Sequence, residues 1–270
     1  MKDVEIVSLG DELLRGVVQD SNSFWMAKRI AARGANLTRI HVLPDAPPVV
    51  AEELRRTLDR RPALVLTQGG LGPTDDDRTR EAIGLATGRP LVLHGGAEEI
   101  VRRRYRELAA QGKVDSPELN DARLRMAMLP DGARALDNQV GGAPGVLLEI
   151  DATTIVALPG VPPELHWIWE NPLAPELDRI LGPGGFAEIT LTLDLGDESS
   201  LAEILRALQA RHPDVYVKSR AKGFDAGEEV RVTLTAAGSD DVSARRIVEP
   251  AAAELRAELA ARGIAILSEP

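Results

Sequence analysis

Short apolar runs alternate, over the first two thirds of the chain, with stretches whose apolar positions recur every three or four residues. Residues 4–9, 35–43 and 64–67 are β-type runs, the last being Leu64-Val65-Leu66-Thr67. Between them, a segment capped by Ser21 or Asn22 and stopped by Gly34 predicts a helix reaching Arg33. Residues 47–60 predict another, with Val50, Leu54 and Leu58 at helical spacing. The third run breaks into Gln68-Gly69-Gly70-Leu71-Gly72-Pro73-Thr74, and residues 75–86 are then expected to be helical, closing at Gly88. Strand and helix in strict alternation, with a Gly-rich turn after the third strand, are the rhythm of an α/β parallel sheet.

Residues 97–128 predict a long, heavily charged helix in which Arg102, Arg103, Arg104 and Arg106 cluster; a solvated helix face is the expected meaning of that run. Residues 146–150 and 154–158 form two apolar runs around the turn-like Asp151-Ala152, and 162–170 a short helix. Pro172, Pro175 and Gly182-Pro183-Gly184-Gly185 then interrupt the pattern. Beyond them, Ile189, Leu191, Leu193 and Leu195 share one face of a strand. A helix over 199–211, strands over 215–218 and 229–236 around the turn at Gly223 to Gly227, and an Ala-rich helix over 240–262 containing Pro250 complete a small α+β module. The chain therefore divides into 1–172, a linker at 173–185, and 186–270.

Composition narrows the chemistry. Forty-two acidic against 32 basic residues leave a net charge of −10, so neither nucleic acid nor an anionic membrane is an expected partner. No cysteine is present, which removes disulfides, thiolate nucleophiles and thiolate metal sites. His41, His94, His166 and His212 are scattered without the spacing of a zinc site. The N-terminus does not read as a signal peptide and no run is long enough to span a bilayer, so a cytoplasmic protein is expected. Neither a Gly-x-Ser-x-Gly elbow nor a Walker loop occurs.

The candidate chemistry lies in the turn at Gly69, Gly70, Gly72, Pro73 and Thr74 and in Asp75-Asp76-Asp77 directly after it. Glycines after a β-strand let backbone N–H groups converge on an anion, and the next helix adds its positive end. Three carboxylates beside a phosphate would repel it unless a divalent cation stood between them, and Mg²⁺ typically takes one or two carboxylates plus phosphate oxygens. A second loop, with Glu12, Asp20 and Asn22, and a third site, Asp45, lie at the same rim of a parallel sheet; Glu12, Asp20 and Asp45 stand equally as ligand contacts or caps. Asn138-Gln139-Val140-Gly141-Gly142-Ala143-Pro144-Gly145 and Leu158-Pro159-Gly160-Val161-Pro162-Pro163-Glu164 are further Gly/Pro loops at strand ends, ligand contacts or turn punctuation alike.

Taken together, Gly10-Asp11-Glu12-Leu13-Leu14-x-Gly16, Asp20-x-Asn22, Gly69-Gly70-Leu71-Gly72-Pro73-Thr74-x-Asp76-Asp77-x-Thr79-x-Glu81, the loop ending at Gly145, and Leu158-Pro159-Gly160 resemble the N-terminal region of the CinA family. The resemblance covers about residues 1–172 and implies a MoaB/MogA-like molybdopterin-binding fold, a three-layer α/β domain with a mostly parallel sheet. Gly196-Asp197-Glu198-Ser199 and Tyr216-Val217-Lys218-Ser219 resemble the small α+β KH-type domain that follows it. The activity so implied is ADP-ribose pyrophosphatase, giving AMP and ribose 5-phosphate. Gly69, Gly70, Gly72, Pro73, Thr74, Thr79, Asn22, Gly145, Pro159 and Gly160 would then bind substrate, Asp76, Asp77 and Glu81 would hold metal, and Asp76, Asp77, Glu12 and Asp45 would act in catalysis.

The implied ion is Mg²⁺, with Co²⁺ or Mn²⁺ as substitutes and K⁺ as a candidate accessory ion. The family suggests a homodimer. Because the chain stops at Pro270, the nicotinamide-mononucleotide deamidase domain of longer CinA proteins, and its activity, are not expected. Asp11 departs from the Thr or Asn of many relatives, outside the Gly-rich loop. Competing readings are a protein that binds or adenylylates molybdopterin, and a nucleotide-binding module without turnover. A KH domain needs Gly-x-x-Gly between helices to grip nucleic acid, whereas Gly182 and Gly185 precede the module's first strand, so packing or dimerisation is its expected role.

Overall fold

A computed structural model describes residues 2–221 and 229–269. The chain forms two compact units, one of Met1–Ile30 with Asn36–Leu181, the other of Ala31–Ala35 with Gly182–Pro270. The turn at Gly223 to Gly227 lies outside the described residues.

The first unit runs β1 (Asp3–Leu9), α1 (Asp11–Leu14), α2 (Ser21–Ala32), β2 (Asn36–Leu43), α3 (Pro47–Asp59), β3 (Leu64–Gln68), α4 (Thr79–Thr87), β4 (Leu91–Leu93), α5 (Gly95–Ala110), α6 (Asp121–Arg125), β5 (Met128–Pro130), β6 (Arg134–Leu136), β7 (Gly145–Ile150), β8 (Thr153–Leu158), α7 (Pro162–Glu170) and α8 (Ala174–Leu181). Its six-stranded sheet has the order β2-β1-β3-β8-β7-β6. β1 pairs in parallel with β2 and β3, and β3 with β8, while β7 and β6 join antiparallel. The sheet is thus mostly parallel.

Strands covered on both faces lose the alternation of a half-exposed sheet, and β3 and β8 are buried along their whole lengths. On one face Val7, Leu9, Val65, Ile155, Ala157, Val146 and Leu148 share a core with Val50 and Leu54 of α3, Ala82 and Ile83 of α4, and Val101 of α5. Residues of opposite parity, among them Ile6, Leu66 and Val156, are equally buried, as are Met26 and Ile30 of α2 and Leu165 and Ile168 of α7. Each such aliphatic side chain contributes about 1.5–3 kcal/mol on burial. α3 begins at Pro47, whose missing N–H is harmless in a first turn, and its Val50, Ala51 and Leu54 form the buried stripe.

β1 lies between β2 and β3, so the chain leaves β1 in one direction and returns on its other side. That reversal opens a crevice beyond the carboxyl ends of β1 and β3, where open α/β sheets bind ligands.

Several expected boundaries move. The helix anticipated over 75–86 begins only at Thr79, leaving Asp75, Asp76 and Asp77 in a turn. The helix anticipated over 97–128 ends at Ala110; α6 follows, and β5 turns back to pair with the unanticipated β4. β6 was likewise unanticipated. The expected linker at 173–185 is largely α8, which buries Leu177. Arg102 pairs with Glu98 and Arg103 with Asp137 on the solvated side of the helix, whereas Arg104 is mostly buried and bonds Glu107 and the Val140 carbonyl.

The second unit contains β9 (Gly185–Asp194), a 3-10 turn (Glu198–Leu201), α9 (Ala202–Arg211), β10 (Val215–Ala221), β11 (Glu229–Gly238), α10 (Asp241–Ala261) and β12 (Ile266–Ser268). Its antiparallel sheet has the order β10-β11-β9-β12. Ile189, Leu191 and Leu193 join Ile204 and Leu208 of α9 and Val248 and Leu255 of α10 in a separate core. β12 adds a strand to the anticipated order. Asp240 and Ser243 form a capping box at the start of α10, and Pro250 is accommodated within it. Among the described residues no helix is long and apolar enough to cross a membrane.

Candidate functional site

The crevice is a cleft of about 620 Å³, walled by the turns after β1, β2, β3 and β8 and by the segment before β7. Its floor is the Gly-rich turn. Gly69 and Gly70 have φ of 96° and 64°, in the region that favours glycine. A side chain at Gly69 would strike the Leu9 carbonyl, and one at Gly70 the Thr79 hydroxyl. Gly69 N–H donates to the Leu158 carbonyl at 3.0 Å, while the N–H groups of Gly70, Leu71 and Gly72 meet no protein acceptor among the described residues.

Thr79 faces the back of this turn. Its hydroxyl donates to the Gly69 carbonyl at 2.7 Å and its N–H to that of Gly70 at 3.1 Å. It is buried and shapes the loop instead of touching a ligand. Beneath the loop lies Arg80, which motif reasoning missed. Its guanidinium is buried and donates to the carbonyls of Leu71 at 2.6 Å and Gly72 at 3.2 Å. Burial lowers its pKa to about 10, so it is still a cation at neutral pH. Carbonyls pulled back by a cation, with N–H groups turned the other way, make an anion cradle.

The aspartates take separate places. Asp77 accepts from Thr74 N–H at 2.8 Å and from the Thr74 hydroxyl at 2.6 Å, and its carboxylate rests on Gly72. Asp76 shares the single proton of that hydroxyl with Asp77, and this contact holds its pKa below the usual carboxylate range. Thr74 is therefore engaged by these two carboxylates and does not line the cleft, whereas Asp76, Asp77 and Pro73 do. Asp75 is exposed and pairs with Arg125, which also donates to the Pro73 carbonyl. Glu81 pairs with Arg78 at 2.8 Å and stands apart from the other two acids. Among the described residues no three His or acidic side chains form a metal cage. A divalent ion here would rest on the oxygens of Asp76 and Asp77 that Thr74 leaves free, completed by ligand oxygens and water.

Across the cleft, Asp45 accepts from Asp11 N–H at 3.0 Å. Burial raises its pKa, and the charges of Glu12, Asp11 and Asp76 raise it further. Glu12 lines the cleft, its carboxylate folded over Gly10. Asp20 proves to be a cap and tie. It accepts from Ser23 N–H at 2.9 Å, the Ser8 hydroxyl at 2.7 Å and the Gln68 amide at 3.3 Å. Asn22 donates to Gln68 and to the Gly160 carbonyl, while its Oδ1 is buried with no partner. An acceptor so left costs about 1–3 kcal/mol until a donor meets it.

Pro159 and Gly160 line the cleft, with Gly160 packed against Gly69. Gly145 does not; it begins β7, where a side chain would crowd Leu136 and the Ala157 carbonyl. Its place in the motif reflects packing. Glu164, which the sequence offered as the end of a Gly/Pro loop without a role, lines the cleft with a pKa raised by burial.

Comparison with known proteins bears on the same region. A family profile described as a probable molybdopterin binding domain matches residues 5–179. A protein of Aeropyrum pernix is 40% identical over 241 residues, covering 89% of this chain and 87% of its own length. One of Pyrococcus furiosus is 37% identical over 238 residues, covering 88% of this chain and 92% of its own. Among solved structures, a CinA protein of Thermoplasma acidophilum, described as of unknown function, is 26% identical with a TM-score of 0.58, covering 67% of this chain and 99% of that one.

Proposed function

Because the chain belongs to the family of probable molybdopterin binding domains, we propose that its cleft seats a diphosphate on the turn of Gly69, Gly70 and Gly72 and hydrolyses the phosphoanhydride of ADP-ribose, or of a related nucleotide diphosphate, to AMP and ribose 5-phosphate. The observation that carries this reading is the juxtaposition of an anion cradle, backed by Arg80, with Asp76, Asp77, Glu12 and Asp45. A binder of phosphate alone gains nothing from carboxylates at its cradle, since they repel the ligand. A divalent cation on Asp76 and Asp77 would neutralise charge on the transferring phosphoryl group. The free N–H groups orient the diphosphate. Asp45, made more basic by burial and its acidic neighbours, takes the proton of the attacking water, with Glu12 beside it.

The test is to incubate the protein with ADP-ribose and Mg²⁺, with and without EDTA, and to separate products by anion exchange. AMP is expected only with metal. Absence of AMP with Mg²⁺, Mn²⁺ and Co²⁺ alike, while ADP-ribose still binds, overturns the hydrolase reading.

The family match favours one second reading, in which the same cleft takes a phosphorylated pterin. A pterin fluorophore retained through purification would favour it over the nucleotide. For the second unit we retain the KH-type likeness as a proposal, with packing or dimerisation as its role. Gly182 and Gly185 lie ahead of and at the start of β9 and do not join two helices. A homodimer is expected in sedimentation velocity, and a monomer at micromolar concentration would remove that assignment.

A further inference from the structure

The segment before β7 brings an acceptor without a protein donor into the cleft. Asn138 is fully buried, and its amide is wholly engaged. Its Oδ1 accepts from Val140 N–H at 3.0 Å and Gly141 N–H at 2.9 Å; its Nδ2 donates to the Ala143 carbonyl and to Glu164 Oε2, both at 2.7 Å. One oxygen of Glu164 is thereby fixed. The side chain is also held sterically, because its carboxyl lies against Gly141, where no Cβ would fit. The other oxygen, Oε1, has no protein partner among the described residues and is not sealed from the cleft. Arg104 is the cation that acts on it, but the hydrogen bonds of that guanidinium go to Glu107 and to the Val140 carbonyl and not to Glu164.

An anion is repelled from such an oxygen, and an apolar group would leave it unsatisfied. We propose that Glu164 is a specificity-determining residue whose Oε1 selects ligands bearing hydrogen-bond donors beside their phosphate. The proposal rests on reading the cleft as the site of a phosphorylated ligand, but not on any hydrolysis there. Two ligand groups supply such donors: the vicinal hydroxyls of a ribose, and the N–H edge of a pterin ring.

The variant Glu164→Gln tests this with little change of shape. Asn138 Nδ2 still requires an acceptor, so the glutamine amide turns its oxygen there and offers NH₂ to the cleft. An acceptor becomes a donor. Binding of ADP-ribose, a pterin monophosphate and inorganic pyrophosphate, each with Mg²⁺, would be measured by calorimetry on wild type and variant. Pyrophosphate has no such donors and occupies the cradle alone, so its affinity is expected to stay within about twofold and to report an intact fold. The donor-bearing ligand is expected to weaken about 10- to 100-fold, the range for a hydrogen bond to a charged group. Loss confined to ADP-ribose identifies the ribose as the source of the donors; loss confined to the pterin identifies the ring. Equal weakening of pyrophosphate, no weakening at all, or a wild type that binds neither donor-bearing ligand overturns the proposal. If AMP never forms but the selective loss appears, the hydrolase reading falls and this subsite stands.

Discussion

Asp77→Asn is expected to lower AMP formation from ADP-ribose by about a thousandfold or more, at unchanged melting temperature. The asymmetry follows from how the side chain is held. One carboxylate oxygen accepts both Thr74 bonds and lies on Gly72. An asparagine carbonyl can accept the same two bonds in the same place, so the turn survives. What disappears is the negative charge and the second oxygen, which is the part a cation would use. A purely structural aspartate would show the reverse: some loss of stability and normal turnover. Turnover within about threefold of wild type, at saturating Mg²⁺, would remove Asp77 from the reaction. Measuring the Mg²⁺ concentration for half-maximal rate separates the two roles further, since a lost ion ligand shifts it and a lost strut does not.

The parts of this architecture legible in the sequence are those where periodicity and punctuation agree. Val4 to Leu9 reads as a β-type run ended by Gly10 and is the buried β1, and Pro47 with Val50 and Leu54 marks both the start and the buried stripe of α3. Between Ala97 and Met128 the two signals part. Helix-favouring charged residues continue past Ala110, but Gly112 takes a left-handed φ of 68° and ends the helix, and Met128 to Pro130 is recruited by Leu91 to Leu93. A three-residue strand has too little pattern to announce itself, and only its partner makes it one.

The site was legible as a place more than as a set of roles. The Gly-rich turn after β3 marked the crevice, because glycine is required wherever backbone must approach a ligand or another chain segment. That requirement does not say which. Gly69 and Gly70 line the cleft, whereas Gly145 is small to fit between strands. Threonine is ambiguous in the same way: Thr79 belongs to the motif because its hydroxyl ties the loop, on the side away from the ligand. Asp20 illustrates a third ambiguity, since a cap and a ligand contact ask for the same residue type. Glu164 read only as the last residue of a Gly/Pro loop at a strand end, and the loop folded by Asn138 brings it into the cleft.

Arg80→Met is expected to weaken pyrophosphate binding about tenfold or more while changing stability by no more than about 1–2 kcal/mol. Arg80 was the least legible of these residues, because nothing in Thr79-Arg80-Glu81 distinguishes a buried arginine from a solvated one. Its burial creates two opposing terms. A cation taken from water without a direct carboxylate partner costs several kcal/mol, which methionine of similar length relieves. Against that, the Leu71 and Gly72 carbonyls lose their donor, at about 1–3 kcal/mol each. The terms are of like size, so the fold is nearly indifferent. The ligand is not: a unit charge beneath the cradle contributes about 1–2 kcal/mol per unit of ligand charge at an effective dielectric near 20, and pyrophosphate carries several. The pH dependence has a definite sign. With a folded pKa lowered to about 10, below that of the exposed side chain, folding releases a proton above that pH, so this group makes the wild type gain stability as pH rises through 10, and the variant loses that slope. Arg80→Lys separates charge from geometry, keeping the cation while losing the paired carbonyl contacts, and should retain most of the affinity. Unchanged pyrophosphate binding in Arg80→Met would reduce the residue to a strut, and the cradle would then rest on backbone N–H groups alone.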